Sequence, residues 1–94
     1  MNLATLRQHK NQILALSQQN GISNIRVFGS VARGEAGEHS DIDMLVTVGP
    51  NVGWEFAGFK LAVEALLGAE VDVVSDRAVN KYMRERVLKE AVPL

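Results

Sequence analysis

The chain has 94 residues, 47% of them hydrophobic and 22% charged, with a net charge of −1 and no cysteine. Such a length holds a single domain, residues 1–94, with one modest core and little room for a separate substrate module, and the lack of cysteine excludes disulfides and thiolate metal sites. Near-neutral charge and 5% aromatic residues argue against direct nucleic-acid binding, which needs a basic surface or a stacking platform.

Leu3, Leu6, Ile13 and Leu14 recur near helical spacing, which predicts a first helix over about residues 3–19, stopped by the pair Asn20-Gly21. The leading segment MNLATLRQHK lacks the charged-then-apolar pattern of a signal peptide, and no run of about 18 apolar residues occurs. A cytoplasmic chain without membrane contact is therefore expected. NIRVFG, with Ile25, Val27 and Phe28, reads as a first strand that ends at Gly29. In SVARGEAGEH, Ser30 can cap one short helical turn before Gly34 and Gly37 open a loop. SDIDMLVTV reads as a second strand with Ile42, Met44, Val46 and Val48 on one face, and Gly49, Pro50, Asn51 and Gly53 break it.

Phe56, Phe59, Val63, Leu66 and Leu67 then follow the helical period over about 54–67, with Gly68 as the stop. Trp54, Phe56 and Phe59 on this second helix are expected in the core and at its rim. EVDVVS, residues 70–75, is a third strand in which Val71 and Val73 face opposite to Asp72. Val79, Met83, Val87 and Ala91 step by four along a last helix over 78–91. Its pairs Lys81/Glu85, Glu85/Lys89 and Arg86/Glu90 read as a solvated face.

The chemistry gathers in FGSVARGEAGEHSDIDMLV. Asp41 and Asp43 are two apart on a strand, so they share a face about 7 Å apart along the chain. Two like charges held that close repel, a cost that is tolerable at a solvated strand end and useful when a divalent cation sits between them. Taken singly, an Asp-x-Asp can cap a turn and Gly-Ser is a common turn pair. Asp72 changes the balance, because a lone carboxylate in EVDVV carries a desolvation cost if buried without a partner. A third carboxylate beside Asp41 and Asp43 can share hard cations such as Mg²⁺, which accepts carboxylate oxygens at about 2.1 Å and completes its shell with water and phosphates. Gly29 removes a Cβ so that backbone can approach a phosphate, while Ser30 offers its hydroxyl and backbone N–H at a strand-to-helix turn. Arg33, one turn later, can neutralise phosphate with its planar fork or simply stay solvated. His9 falls on a polar stretch and is expected to be exposed. His39 lies near the aspartates, but no second histidine supports a metal or base role.

GSVARGEAGEHSDIDMLV followed by VDVV resembles the signature of the DNA polymerase beta-like nucleotidyltransferase superfamily: Gly-Ser, an Asp-x-Asp ten residues on, and a third Asp on a later strand. With the short length and the closing RERVLKEAVPL, it is more narrowly similar to the minimal nucleotidyltransferases, antitoxin partners of HEPN-domain toxins. The resemblance implies an α/β (α+β) nucleotidyltransferase fold, a small mixed sheet with helices packed on one face, two Mg²⁺ ions and ATP as substrate. By carry-over, Asp41 and Asp43 hold both metals and the triphosphate, Asp72 holds the metal that activates the attacking hydroxyl, and Gly29 with Ser30 holds the β- and γ-phosphates.

In those antitoxins the acceptor of AMP is a tyrosine on the toxin, which implies a hetero-oligomer docked near the 34–40 loop. Two alternatives stay open: a small-molecule nucleotidyltransferase completed by another subunit, and a non-catalytic antitoxin that masks its partner by binding.

Overall fold

The structure is a computed structural model that describes residues 1–37 and 41–94; His39 and the far end of the 34–40 loop lie outside the described residues. Its elements run α1 (Leu3–Arg7), α2 (Lys10–Gln19), β1 (Ile22–Phe28), α3 (Gly29–Arg33), β2 (Ile42–Val48), α4 (Trp54–Leu67), β3 (Val71–Ser75), α5 (Lys81–Glu90) and β4 (Val92–Pro93). The sheet is mixed, in the order β3-β2-β1-β4. β1 runs antiparallel to β2 and β4, whereas β2 and β3 are parallel and need the crossover helix α4 between them.

The single predicted N-terminal helix is two. Gln8 and His9 turn their N–H groups back to Thr5 and Leu6 at 3.2 and 3.0 Å, a tighter bonding step than the α-helix uses, and the chain restarts at Lys10. No glycine or proline marks that break. Arg7, the last residue of α1, donates to the Pro93 carbonyl at 2.7 Å and to that of Leu94 at 3.2 Å, which ties the two ends of the chain together.

Strand alternation divides the sheet into two faces. Ile42, Met44 and Val46 join Val27, Val71, Phe59, Val63, Leu6 and Ile13 in the principal core, so α1, α2 and α4 lie over this face. Asp43, Leu45 and Thr47 point the other way. Leu45 and Val87 are buried yet stand outside the principal cluster. α5 is fastened on this second face at both ends, by Arg84 to the Asp76 carbonyl at 3.4 Å and by Glu90 to Arg33. Val87, one turn from each tie, is the side of α5 turned inward. The face of the aspartates is thus strapped across its middle and open at the strand ends.

Asp76 anchors the far end of that face. It accepts from Thr47 Oγ1 at 2.7 Å and Arg26 Nη2 at 3.2 Å, and these bonds hold its carboxyl below the usual carboxylate range.

Besides the split first helix, α5 departs from the expected packing of helices on one face, since Arg84 and Glu90 fasten it over the face of the aspartates, and two side-chain expectations need correction. Trp54 is 92% exposed, because it starts α4 before any neighbouring element can cover it, whereas Phe59 is fully enclosed. Glu90 is no part of a solvated face: its side chain is 16% exposed and pairs with Arg33 rather than Arg86. The short strand β4, absent from the periodicity, pairs Val92 with Val27 and Pro93 with Arg26. In unfolding experiments, Phe59→Ala should cost about 3–5 kcal/mol, the range for deleting an enclosed aromatic ring. Trp54→Ala should change stability by less than about 0.5 kcal/mol.

Candidate active site

β2 is the spine of the site. Its Asp43 pairs with Phe28 across β1 and with Asp72 across β3. Residues in register on neighbouring strands share a face, so Asp43 and Asp72 stand side by side, and Asp41, two residues before Asp43, completes the group at the mouth of β2. Asp41 and Asp72 are exposed, while Asp43 is half-buried. Burial first, then the charges of Asp72, Asp41 and Glu90, push the Asp43 carboxyl above its ordinary value, and Arg33 opposes them. The three candidate carboxylates are therefore brought together, and they feel one another electrostatically.

Gly29 explains why Asp43 sits where it does. β1 must turn into α3 at this residue with φ at +73°, in the left-handed region that favours glycine. A Cβ built there would collide with Asp43 Oδ2 and lie 3.1 Å from its Cγ. One reason for residue 29 to be small is legible from its motif, the approach of a phosphate. The structure adds a second: the glycine makes room for the carboxylate. Ser30 follows in the first turn of α3, half-buried, and among the described residues its hydroxyl has no hydrogen-bond partner.

Arg33, at the other end of α3, is exposed but paired with carboxylates. Its Nε donates to Glu35 Oε2 at 3.0 Å and its Nη1 to Glu90. These carboxylates raise its affinity for the proton, Glu35 before Glu90. His9 sits at the start of α2 with Nδ1 3.1 Å from Gln12 Oε1, well away from the chemistry in sequence and without a carboxylate partner among the described residues.

Three further charged residues, Lys60, Glu64 and Glu70, border the group and were not singled out from sequence. A cleft of about 390 Å³ is lined by Asp41 and Asp72 together with Lys60, Glu64, Glu70 and Val71. Lys60 Nζ lies 3.3 Å from Glu64 Oε2, and that carboxylate also accepts the Val71 N–H at 3.0 Å. The i, i+4 spacing of Lys60 and Glu64 was a legible signal for the pair but not for its position beside the aspartates. A larger cleft of about 500 Å³ runs along α5 between Tyr82, Glu85, Arg86, Lys89 and Glu90, and contains none of the three aspartates.

All the donors at the strand ends are hard anionic oxygens, the type that Mg²⁺ takes. Among the described residues, no group of three or more carboxylates is placed to hold a metal ion by itself. Mg²⁺ completes its shell with water and substrate phosphates.

The raised Asp43 carboxyl has a consequence for stability. A carboxyl that binds its proton more tightly folded than unfolded contributes stability at low pH, and that contribution is lost as pH rises through its native value. Asp43→Asn should therefore melt higher than the parent at about pH 7, and the gap should close below about pH 4. A melting curve that is lower than the parent's at neutral pH would contradict the crowding.

Residues 6–93 match the family described as nucleotidyltransferase domain. A solved protein described as a candidate minimal nucleotidyltransferase is 48% identical, with a TM-score of 0.89 over 100% of this chain and 97% of that one. Protein adenylyltransferase MntA of Thermococcus cleftensis is 38% identical over 89 residues, 93% of this chain and 86% of the relative. A chain from a toxin–antitoxin complex solved with AMP-PNP is 26% identical, with a TM-score of 0.69 over 89% of this chain and 70% of that one. Gly29, Ser30 and the three aspartates all fall inside the matched segment, and the chain belongs to the nucleotidyltransferase domain family.

Proposed function

We propose that the protein is a Mg²⁺-dependent adenylyltransferase that moves AMP from ATP to a tyrosine hydroxyl of a HEPN-type toxin, and acts through that transfer as an antitoxin. The observation that carries the reading is the register of Asp43 with Asp72 beside the Gly29-Ser30 turn. It is supported by similarity to a relative named protein adenylyltransferase and to a chain from a toxin–antitoxin complex that holds an ATP analogue.

Each residue has a distinct task in this reading. Asp41, Asp43 and Asp72 would hold Mg²⁺, which when bound neutralises phosphate charge and polarises the oxygens of an in-line displacement. Gly29 keeps the turn flat and Asp43 in place, so that the β- and γ-phosphates can approach the backbone. The Ser30 hydroxyl and N–H donate to those phosphates, and Arg33 supplies a planar cation one turn away. Asp72, on the edge strand β3, faces the side from which an acceptor can enter. The acceptor oxygen bonds to the α-phosphorus as the bond to the bridging oxygen breaks, the hydroxyl proton is released, and pyrophosphate leaves.

The open strand ends make the partner part of the chemistry. Water would compete with the acceptor at an uncovered phosphorus, and a docked protein that presents its own hydroxyl excludes it.

Mass spectrometry of the partner, after incubation with the chain, ATP and Mg²⁺, tests the reading. The partner should gain AMP. Asp72→Asn should reduce transfer by at least about a hundredfold, as expected when a group that stabilises the reacting phosphate is lost, while the complex still forms. Chelation of the metal should abolish transfer. A partner that stays unmodified in the presence of the intact chain, yet is silenced equally well by the Asp72→Asn chain, would establish masking by binding in place of catalysis.

A further inference from the structure

We propose that Glu90 competes with the nucleotide for Arg33, so that binding of the triphosphate transfers the guanidinium from Glu90 to phosphate and loosens the end of α5. The proposal rests on the nucleotide reading of the site and adds a regulatory contact to it. Arg33 stands one turn beyond Ser30, and two of its five N–H donors are already engaged: Nε by Glu35 and Nη1 by Glu90. A triphosphate arriving at the Gly29-Ser30 turn meets a guanidinium whose charge and orientation are already committed to carboxylates.

The two carboxylates are not equal competitors. Glu35 is 65% exposed and lies two residues from Arg33, whereas Glu90 is 16% exposed and comes from another element. Glu35 makes the larger hydrogen-bond contribution to Arg33, but the charge of the more buried Glu90 is less screened and acts on the guanidinium more strongly through space. Glu90 also places a negative charge against Arg33, beside the turn where an anionic ligand has to settle. Both effects disfavour nucleotide in the resting protein.

The same contact has a mechanical side. Glu90 is the last residue of α5 and precedes β4, which pairs with Val27 two residues before Gly29. The Arg33–Glu90 pair is the tie between α3 and the C-terminal end of α5 on the face of the aspartates. When Arg33 turns to phosphate, that tie opens, and among the described residues the last turn of α5 keeps its backbone bonds, the exposed Lys89–Glu85 pair and the packing of Val87. Nucleotide occupancy is then readable on the outer surface of α5.

Calorimetric titration with ATP and Mg²⁺ of the parent, Glu90→Gln, Arg33→Ala and the double variant tests the proposal. Glu90→Gln keeps the shape and removes the charge, and should bind ATP about three- to tenfold more tightly, since a competing state that occupies the ligand's partner lowers apparent affinity in proportion. The gain should vanish in the Arg33→Ala background. Weaker binding by Glu90→Gln would show that Glu90 orients Arg33 and would overturn competition, and so would an equal gain without Arg33. As a second readout on the unaltered chain, amide exchange over residues 87–91 should quicken when ATP binds; unchanged or slower exchange would overturn the release of α5. A parent protein that binds no ATP removes the nucleotide reading and this proposal together, whereas ATP binding that is indifferent to Glu90 removes only the proposal.

Discussion

Gly29 and Asp43 occupy one small space. The turn from β1 into α3 needs a positive φ, and the carboxylate of β2 fills the volume in which a side chain at position 29 would stand. That packing fixes the height of α3 above the sheet, and with it Ser30 and Arg33. It also confines Asp43, whose neighbours in register are Phe28 on one side and Asp72 on the other. An apolar ring, a like charge and a missing Cβ together leave the carboxylate little choice of position, which is the preorganisation that transfer to phosphate needs.

The electrostatic cost of this arrangement is borne at the open end of the sheet. Asp41 and Asp72 are exposed, so water screens them. Asp43 is the member that cannot be fully hydrated, and its raised carboxyl records the strain of the group. At the opposite end of the same face, Asp76 does the reverse. Two hydrogen-bond donors, Thr47 and Arg26, surround it and lower its carboxyl. One end of β2 is therefore held by satisfied charge and the other carries charge in waiting, a division suited to a rigid scaffold beneath a reactive rim.

Much of this was legible in the sequence because its causes are local. Period-two alternation put Asp41 and Asp43 on one face and separated Asp72 from Val71 and Val73, and the Gly-Ser pair marked the turn between a strand and a helix. The bounds of α4, Trp54–Leu67, also followed from spacing and from Gly68, which closes it at φ +63°. What escaped depends on contacts between distant segments. The pairing of Glu90 with Arg33 spans 57 positions, and β4 has two residues, too few to show a period. The break after Arg7 left no turn residue to read, and the ties from Arg7 to the carbonyls of Pro93 and Leu94 lie at the other terminus. Trp54 was placed inward on hydrophobicity, but a first helical residue has no preceding turn to pack on, and here no other element reaches it.

A double-mutant cycle on stability, with Gly29→Ala and Asp43→Ala singly and together, tests most directly whether these two residues share one space. Alanine at position 29 bears a left-handed backbone cost of about 1–2 kcal/mol in either background. With the Asp43 carboxylate present it should cost more, by a coupling of about 1–3 kcal/mol that disappears once that carboxylate is removed. Costs that add to within about 0.5 kcal/mol would contradict the packing on which the placement of α3, Ser30 and Arg33 has been built.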